Sequence, residues 1–205
     1  MAVELTPTKL ARAAKHLAAR DADLARLLHA DGVPPMWGRR PGFSCLVLMI
    51  LEQQVSLASA RACFDKLRAM TGRLTPRSFL SITDARLKRA GFSRQKTAYC
   101  RGLAEALLSR RLDLQRLNRR PDAQVQSGLC ELKGIGAWTA EVYLLMALKR
   151  PDIWPVGDLA LAVSVQDVKR LRRRPSPERL LATAEPWRPW RSVAARMLWQ
   201  HYLKQ

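Results

Sequence analysis

Helical periodicity runs through almost the whole chain, and nothing else in the sequence constrains the fold as tightly. Apolar residues recur at three- and four-residue spacings, and the stretches open on capping residues or prolines. Thr6-Pro7 opens a helix predicted to about Ala19, and Asp21 starts a second that ends near Gly32. Residues 33–42, VPPMWGRRPG, read as a loop. A strongly apolar helix is predicted from Phe43 to about Gln53, and Ser56 caps another that stops at Gly72. Further helices are predicted over Pro76–Ser81, Asp84–Ala90, from the Ser93 cap to about Arg110, over Asp113–Leu117 and over Asp122–Leu132. A glycine-containing turn follows, then Ala137–Lys149, Leu159–Arg170, Pro177–Ala184 and Pro189–Lys204. No alternating β-branched or aromatic run suggests a strand. The expectation is an all-α protein of about twelve helices with short connections, without a fixed-period repeat, and with LRRRPSPER (171–179) as its flexible loop.

A chain of 205 residues fits one compact domain or two small ones across a cleft. Residues 1–32 and 150–205 are expected to form one helical lobe and 43–149 the other, with two helices joined by a tight hairpin at about 122–149. Lys plus Arg number 36 against 17 Asp plus Glu, a net charge of +19. So basic a folded chain is drawn to polyanions, nucleic acid first and an anionic membrane surface second. The longest apolar run, Cys45–Leu51, is far short of the ~20 residues that span a bilayer. Met1–Leu17 lack the order of a secretory signal, so the expected location is cytoplasmic. Cys45, Cys63, Cys100 and Cys130 form no C-x-x-C pair and sit in apolar or helical contexts, where Cys acts as a small hydrophobe. With His16, His29 and His201 scattered, no metal, cofactor or disulfide is expected.

The informative run is Leu132-Lys133-Gly134-Ile135-Gly136-Ala137-Trp138-Thr139-Ala140. Two glycines flank one apolar residue between two helical patterns. Glycine permits a tight turn and close backbone approach. The N–H groups of such a turn, followed by a helix N-terminus, can cradle a phosphate, with Ile135 plugging the turn into the core. The same pattern also fits an ordinary tight helix–helix turn. The positive charge favours the phosphate reading.

Residues 132–158, LKGIGAWTAEVYLLMALKRPDIWPVGD, resemble the helix-hairpin-helix and aspartate loop of the helix-hairpin-helix DNA glycosylases, within them the 3-methyladenine DNA glycosylase II branch. ILEQQVSLASA (Ile50–Ala60) and PWRPWRSVAARMLW (Pro186–Trp199) agree, so the resemblance spreads from about Phe43 to Trp199. It implies two helical lobes without the N-terminal β domain that several members carry. Lys133 departs from the proline usual at its position. The resemblance further implies an enzyme that removes alkylated purines from double-stranded DNA, acts as a monomer, needs no cofactor and associates with DNA in the cell. The rivals are a glycosylase for deaminated or mismatched bases and a non-catalytic helix-hairpin-helix module. A membrane-surface protein is a distant third, because the helices are not basic amphipaths with one broad apolar face.

By that resemblance Asp158 is the catalytic residue. The residues themselves also make it the N-cap of the helix from Leu159. The two roles are compatible, since a carboxylate held by backbone donors is fixed in place. Cleaving an N-glycosidic bond builds positive charge on the sugar, which a fixed anion beside it stabilises. The preceding helix, taken as Ala137–Lys149, is about 20 Å long at 1.5 Å per residue, and the WPVG segment has to bring the chain back over that length. Trp138 stands where strand-cutting members carry a Schiff-base lysine, and an indole is no amine nucleophile. The iron–sulfur cluster of other branches needs cysteines near the C-terminus, and the last one here is Cys130.

Trp138, Trp199, Val142 and Leu159 match the base pocket, where an indole face suits a cationic purine. Trp154, Trp187 and Trp190 are expected as core residues instead. Lys133, Gly134, Ile135, Gly136 and Thr139 match the DNA-binding hairpin. Gln53 and Gln54 match the minor-groove wedge that fills the space of an extruded base, although two polar residues on an exposed turn would look the same. The cluster Lys169–Arg174 reads as a general electrostatic face.

Overall fold

The computed structural model describes residues 4–205, so Met1 to Val3 of the expected 1–32 segment lie outside the described residues. Thirteen α-helices and one 3-10 turn are formed among the described residues, and no strand. In chain order the first seven helices are α1 (Pro7–Arg20), α2 (Ala22–Asp31), α3 (Phe43–Glu52), α4 (Leu57–Thr71), α5 (Pro76–Leu80), α6 (Asp84–Ala90) and α7 (Arg94–Leu108). Then come α8 (Leu114–Leu117), α9 (Asp122–Cys130), α10 (Ala137–Met146), α11 (Leu159–Val168), α12 (Pro177–Ala184), the 3-10 turn Glu185–Trp187 and α13 (Arg191–Lys204).

The caps that the sequence announces are in use. Thr6 accepts from the Lys9 N–H, Ser56 from Ser59, Ser93 from Lys96 and Asp113 from Arg116. Each satisfies a donor that the first helical turn leaves open. Helix ends differ more. The helix expected to reach Lys149 stops at Met146, because Lys149 turns into the left-handed region (φ 53) and Arg150 precedes a proline. Its ten residues span about 15 Å, not 20. Arg110 and Arg170 end α7 and α11 early in the same way, at φ 58 and 51. The last helix starts at Arg191, not Pro189, and Pro186 and Pro189 leave a separate 3-10 turn before it.

The chain forms two compact units, one through Gly38 together with Leu144–Gln205, the other Arg39–Tyr143. In the first unit α13 is the central helix, packed by α1, α2 and α11. Every residue from Ser192 to Trp199 is buried, so this helix has no solvent face over two turns. One of those residues is Arg196, which donates to the carbonyls of Trp37 and Leu145 at 2.8 and 3.0 Å. Burial lowers its pKa to about 10. Trp154 and Trp187 meet edge to face at 5.4 Å and are core residues, whereas Trp190 is only half-buried.

In the second unit α3 is central, burying Phe43, Leu46, Val47, Ile50 and Leu51 against α4 and α7. Phe43, Phe79 and Phe92 pack in series with ring centroids 5.9 Å apart. Cys45, Cys63 and Cys100 are buried as small hydrophobes, and burial pushes the Cys45 thiol up to about 12. Cys130 differs from that expectation: it is exposed, because α9 ends there.

Candidate functional site

The glycine turn joins α9 to α10 within the second unit. The Ile135 N–H bonds the Leu132 carbonyl at 3.0 Å, and the Ala140 N–H takes the Gly136 carbonyl to begin the helix. Gly134 has φ 93, and a Cβ there would lie 2.2 Å from the Tyr99 ring. Glycine is therefore required twice, by the backbone conformation and by the ring against it. Ile135 is buried in the core while Lys133 and Gly136 are exposed. Among the described residues no protein acceptor takes the N–H of Gly134 or Gly136. With the N-terminus of α10 directly behind them, these open donors have the chemistry to take an anion.

The turn between α3 and α4 is fastened to this hairpin. The Gln53 side-chain amide donates to the Gly134 carbonyl at 2.9 Å and to the Thr139 hydroxyl at 3.2 Å. Thr139 is thereby buried, with its hydroxyl engaged inside the protein. Gln54 next to it is exposed in the left-handed conformation (φ 57). Gln53, Gln54, Lys96, Tyr99, Lys133 and Trp138 line one hollow of about 610 Å³. Trp138 is half-buried and Val142 buried.

Asp158 lies in the first unit, at the head of α11. Its Oδ1 accepts from the Leu161 N–H at 2.9 Å and from the Trp199 indole N–H at 3.0 Å. The loop leading to it is secured to α13. Arg191 grips the Asp152 carboxylate with Nε and Nη2 at 2.8 and 3.0 Å, and Arg188 adds a contact at 2.7 Å. The Ser192 hydroxyl accepts from the Ile153 N–H at 2.8 Å. One helix thus holds both the root of the loop and the carboxylate at its end. Trp199 is buried, and Leu159 beside Asp158 is 58% exposed.

The family described as HhH-GPD superfamily base excision DNA repair protein matches residues 47–189, which span the hairpin, the turn between α3 and α4 and the Asp158 loop. The chain belongs to that superfamily. Over 200 residues it is 26% identical to DNA-3-methyladenine glycosylase 1 of Schizosaccharomyces pombe, covering 94% of this chain and 88% of that protein. The S. pombe 3-methyladenine DNA glycosylase (Mag1) in complex with abasic DNA matches at a TM-score of 0.81 and 26% identity, over 92% of this chain and 95% of that one. A DNA-3-methyladenine glycosidase structure from Bacillus halodurans matches at 0.81 and 29% identity, over 93% and 88%. MBOgg1 in complex with a low affinity DNA ligand shares the fold, at 0.81 and 17% identity.

Within this HhH-GPD chain several residues that hold these turns and loops in place have no sequence signature. Lys96 donates to the Leu51 and Gln53 carbonyls at 2.6 and 2.8 Å. Arg191 and Ser192 lie in a segment that the sequence marks as a helix and as similar to the family, with no role for either residue. Lys169, expected on a free electrostatic face, instead pairs with Asp21 and Asp23 at 2.8 Å and lies 5.7 Å over the Trp187 ring. Two nearby carboxylates offset the cost of its partial burial, which a count of basic residues does not reveal. Glu141 on α10 is half-buried beside Gln126, and burial raises its pKa to about 7.

Proposed function

We propose that this chain is a monofunctional DNA glycosylase that extrudes alkylated purines, of the 3-methyladenine and 7-methylguanine type, from double-stranded DNA and hydrolyses their glycosidic bond. The observation that carries the reading is the Asp158 carboxylate, held at Oδ1 by a backbone N–H and the Trp199 indole N–H. A group fixed in advance needs no reorganisation as positive charge develops on the sugar. It can also orient and deprotonate the water that attacks the anomeric carbon while the glycosidic electrons leave with the base. An alkylated purine carries its own positive charge and leaves without a strong general acid. The hairpin donors at Gly134 and Gly136, with Lys133 beside them, suit a DNA phosphate.

Trp138 supports the hydrolytic outcome, because an indole cannot form a Schiff base and the product is then an abasic site. Gln54, exposed on its strained turn, is the wedge, whereas Gln53 is tied to the hairpin. The test is chromatography of free bases released from DNA treated with dimethyl sulfate. Release of methylated purines is expected. Release only from deaminated or mismatched DNA would move the substrate class, and DNA binding without release from any substrate would leave a non-catalytic hairpin module.

A further inference from the structure

Lys96 occupies an unusual place for a lysine. It is half-buried on α7, and its ammonium group reaches the end of α3, where the carbonyls of Leu51 and Gln53 face it at 2.6 and 2.8 Å. The final carbonyls of a helix have no partner within it and carry the negative end of its dipole, so a cation is well placed there. Burial pushes the ammonium pKa down, and among the described residues no carboxylate pairs with it. Its partners are two carbonyl oxygens in one turn. The Gln53 residue whose carbonyl it takes sends its own side chain to Gly134 and Thr139. Lys96, Gln53 and the hairpin therefore form one continuous hydrogen-bonded strut, with Gln54 at its exposed corner.

We infer that Lys96 and Gln53 are positioning residues that hold the Gln54 wedge in register with the phosphate-binding hairpin. The inference rests on the glycosylase reading above and extends it to how extrusion is coupled to backbone anchoring. A wedge on a loose turn would yield when pressed into the base stack. A wedge fixed to the hairpin transmits to the stack the force of holding the flanking phosphates, so opening a paired base depends on the strut. A base in single-stranded DNA is already accessible and makes little use of it.

The test compares base release from dimethyl sulfate-treated DNA presented as duplex and as single strands, for Lys96→Met, Gln54→Ala and the double variant. Lys96→Met is expected to slow release from duplex at least tenfold more than from single strands. In the Gln54→Ala background it should add little, since the strut has no wedge left to hold. Lys96→Arg, which keeps a cation and donors, should recover part of the rate. Gln53→Asn, one methylene too short to reach both hairpin acceptors, should show the same duplex-selective loss and serves if Lys96→Met does not fold.

Equal losses on both forms, or additive effects in the double variant, overturn the role. So does a fall in the salt dependence of binding by about one contact's worth, a slope change near 0.9, which would make Lys96 a phosphate ligand. If the unaltered chain releases no base from either form, the glycosylase reading fails and this role with it. Release by the unaltered chain with additive variants refutes the role alone.

Discussion

Replacing Asp158 with asparagine separates the helix cap from the proposed catalytic role. The Oδ1 atom that receives both the Leu161 N–H and the Trp199 indole N–H survives as an amide oxygen, so the bonds at 2.9 and 3.0 Å can persist. Asparagine is about as good an N-cap as aspartate. The variant loses the charge at the helix N-terminus, about 0.3–1 kcal/mol. It also exchanges charge-assisted hydrogen bonds for neutral ones, roughly another 1 kcal/mol. For a chain of this size each kcal/mol moves the melting temperature by about 2–4 °C, so a drop of a few degrees is expected. Chemistry should suffer much more. Losing one preorganised electrostatic group costs about 10²-fold or more in rate.

Asp158→Ala is the less informative variant. It removes the cap, about 1 kcal/mol, and strands the indole N–H of a buried tryptophan, roughly 1–3 kcal/mol more. A slow alanine variant could then simply be a badly folded one. The decisive measurement is single-turnover release of methylated purines by Asp158→Asn, with thermal melting and gel-shift binding on the same preparation. Near-native release from a variant that melts within a few degrees of the parent would refute the catalytic assignment and leave the residue only a cap.

Other outcomes follow from individual contacts. Borohydride should trap no covalent complex with DNA, and strands at released sites should break only on added alkali, because Trp138 offers no amine; a robust trapped adduct would point to another lysine, Lys133 first. Gly134→Ala should cost about 2–4 kcal/mol, combining positive φ with a Cβ 2.2 Å from the Tyr99 ring. Gly91→Ala, at φ 109 but with neighbours no nearer than 3.5 Å, should cost about 1–2 kcal/mol. Similar melting shifts for the two would discount the ring contact. Glu141 binds its proton more tightly folded (about 7) than at its ordinary 4.5, so it lowers stability as pH rises from 4.5 through 7. Glu141→Gln should flatten that part of the melting-temperature profile and melt higher than the parent at pH 8, and an unchanged profile would count against the burial effect.

The parts of this protein that its sequence reveals are those whose physics is local. A threonine before a proline, a serine three residues ahead of the donor it caps and a G-I-G between two apolar patterns each act within one turn of chain. The caps at Thr6, Ser56 and Ser93 and the buried Ile135 were accordingly readable. Helix ends were less so, because Lys149, Arg110 and Arg170 take a left-handed conformation that their residue types rarely adopt.

Least legible were side chains whose partners are main-chain carbonyls far away. Lys96 meets oxygens 45 and 43 residues distant, and Arg196 one that is 159 residues distant. A carbonyl is present at every residue and becomes a free acceptor only where a helix happens to stop, so no pattern of residue types marks it. Arg196 shows the consequence. By composition it is one more basic residue available to DNA, yet it is fully buried between the chain at Trp37 and the end of α10. The count of cations that can meet a phosphate is therefore smaller than 36, and the salt dependence of binding measures the part that folding leaves outside.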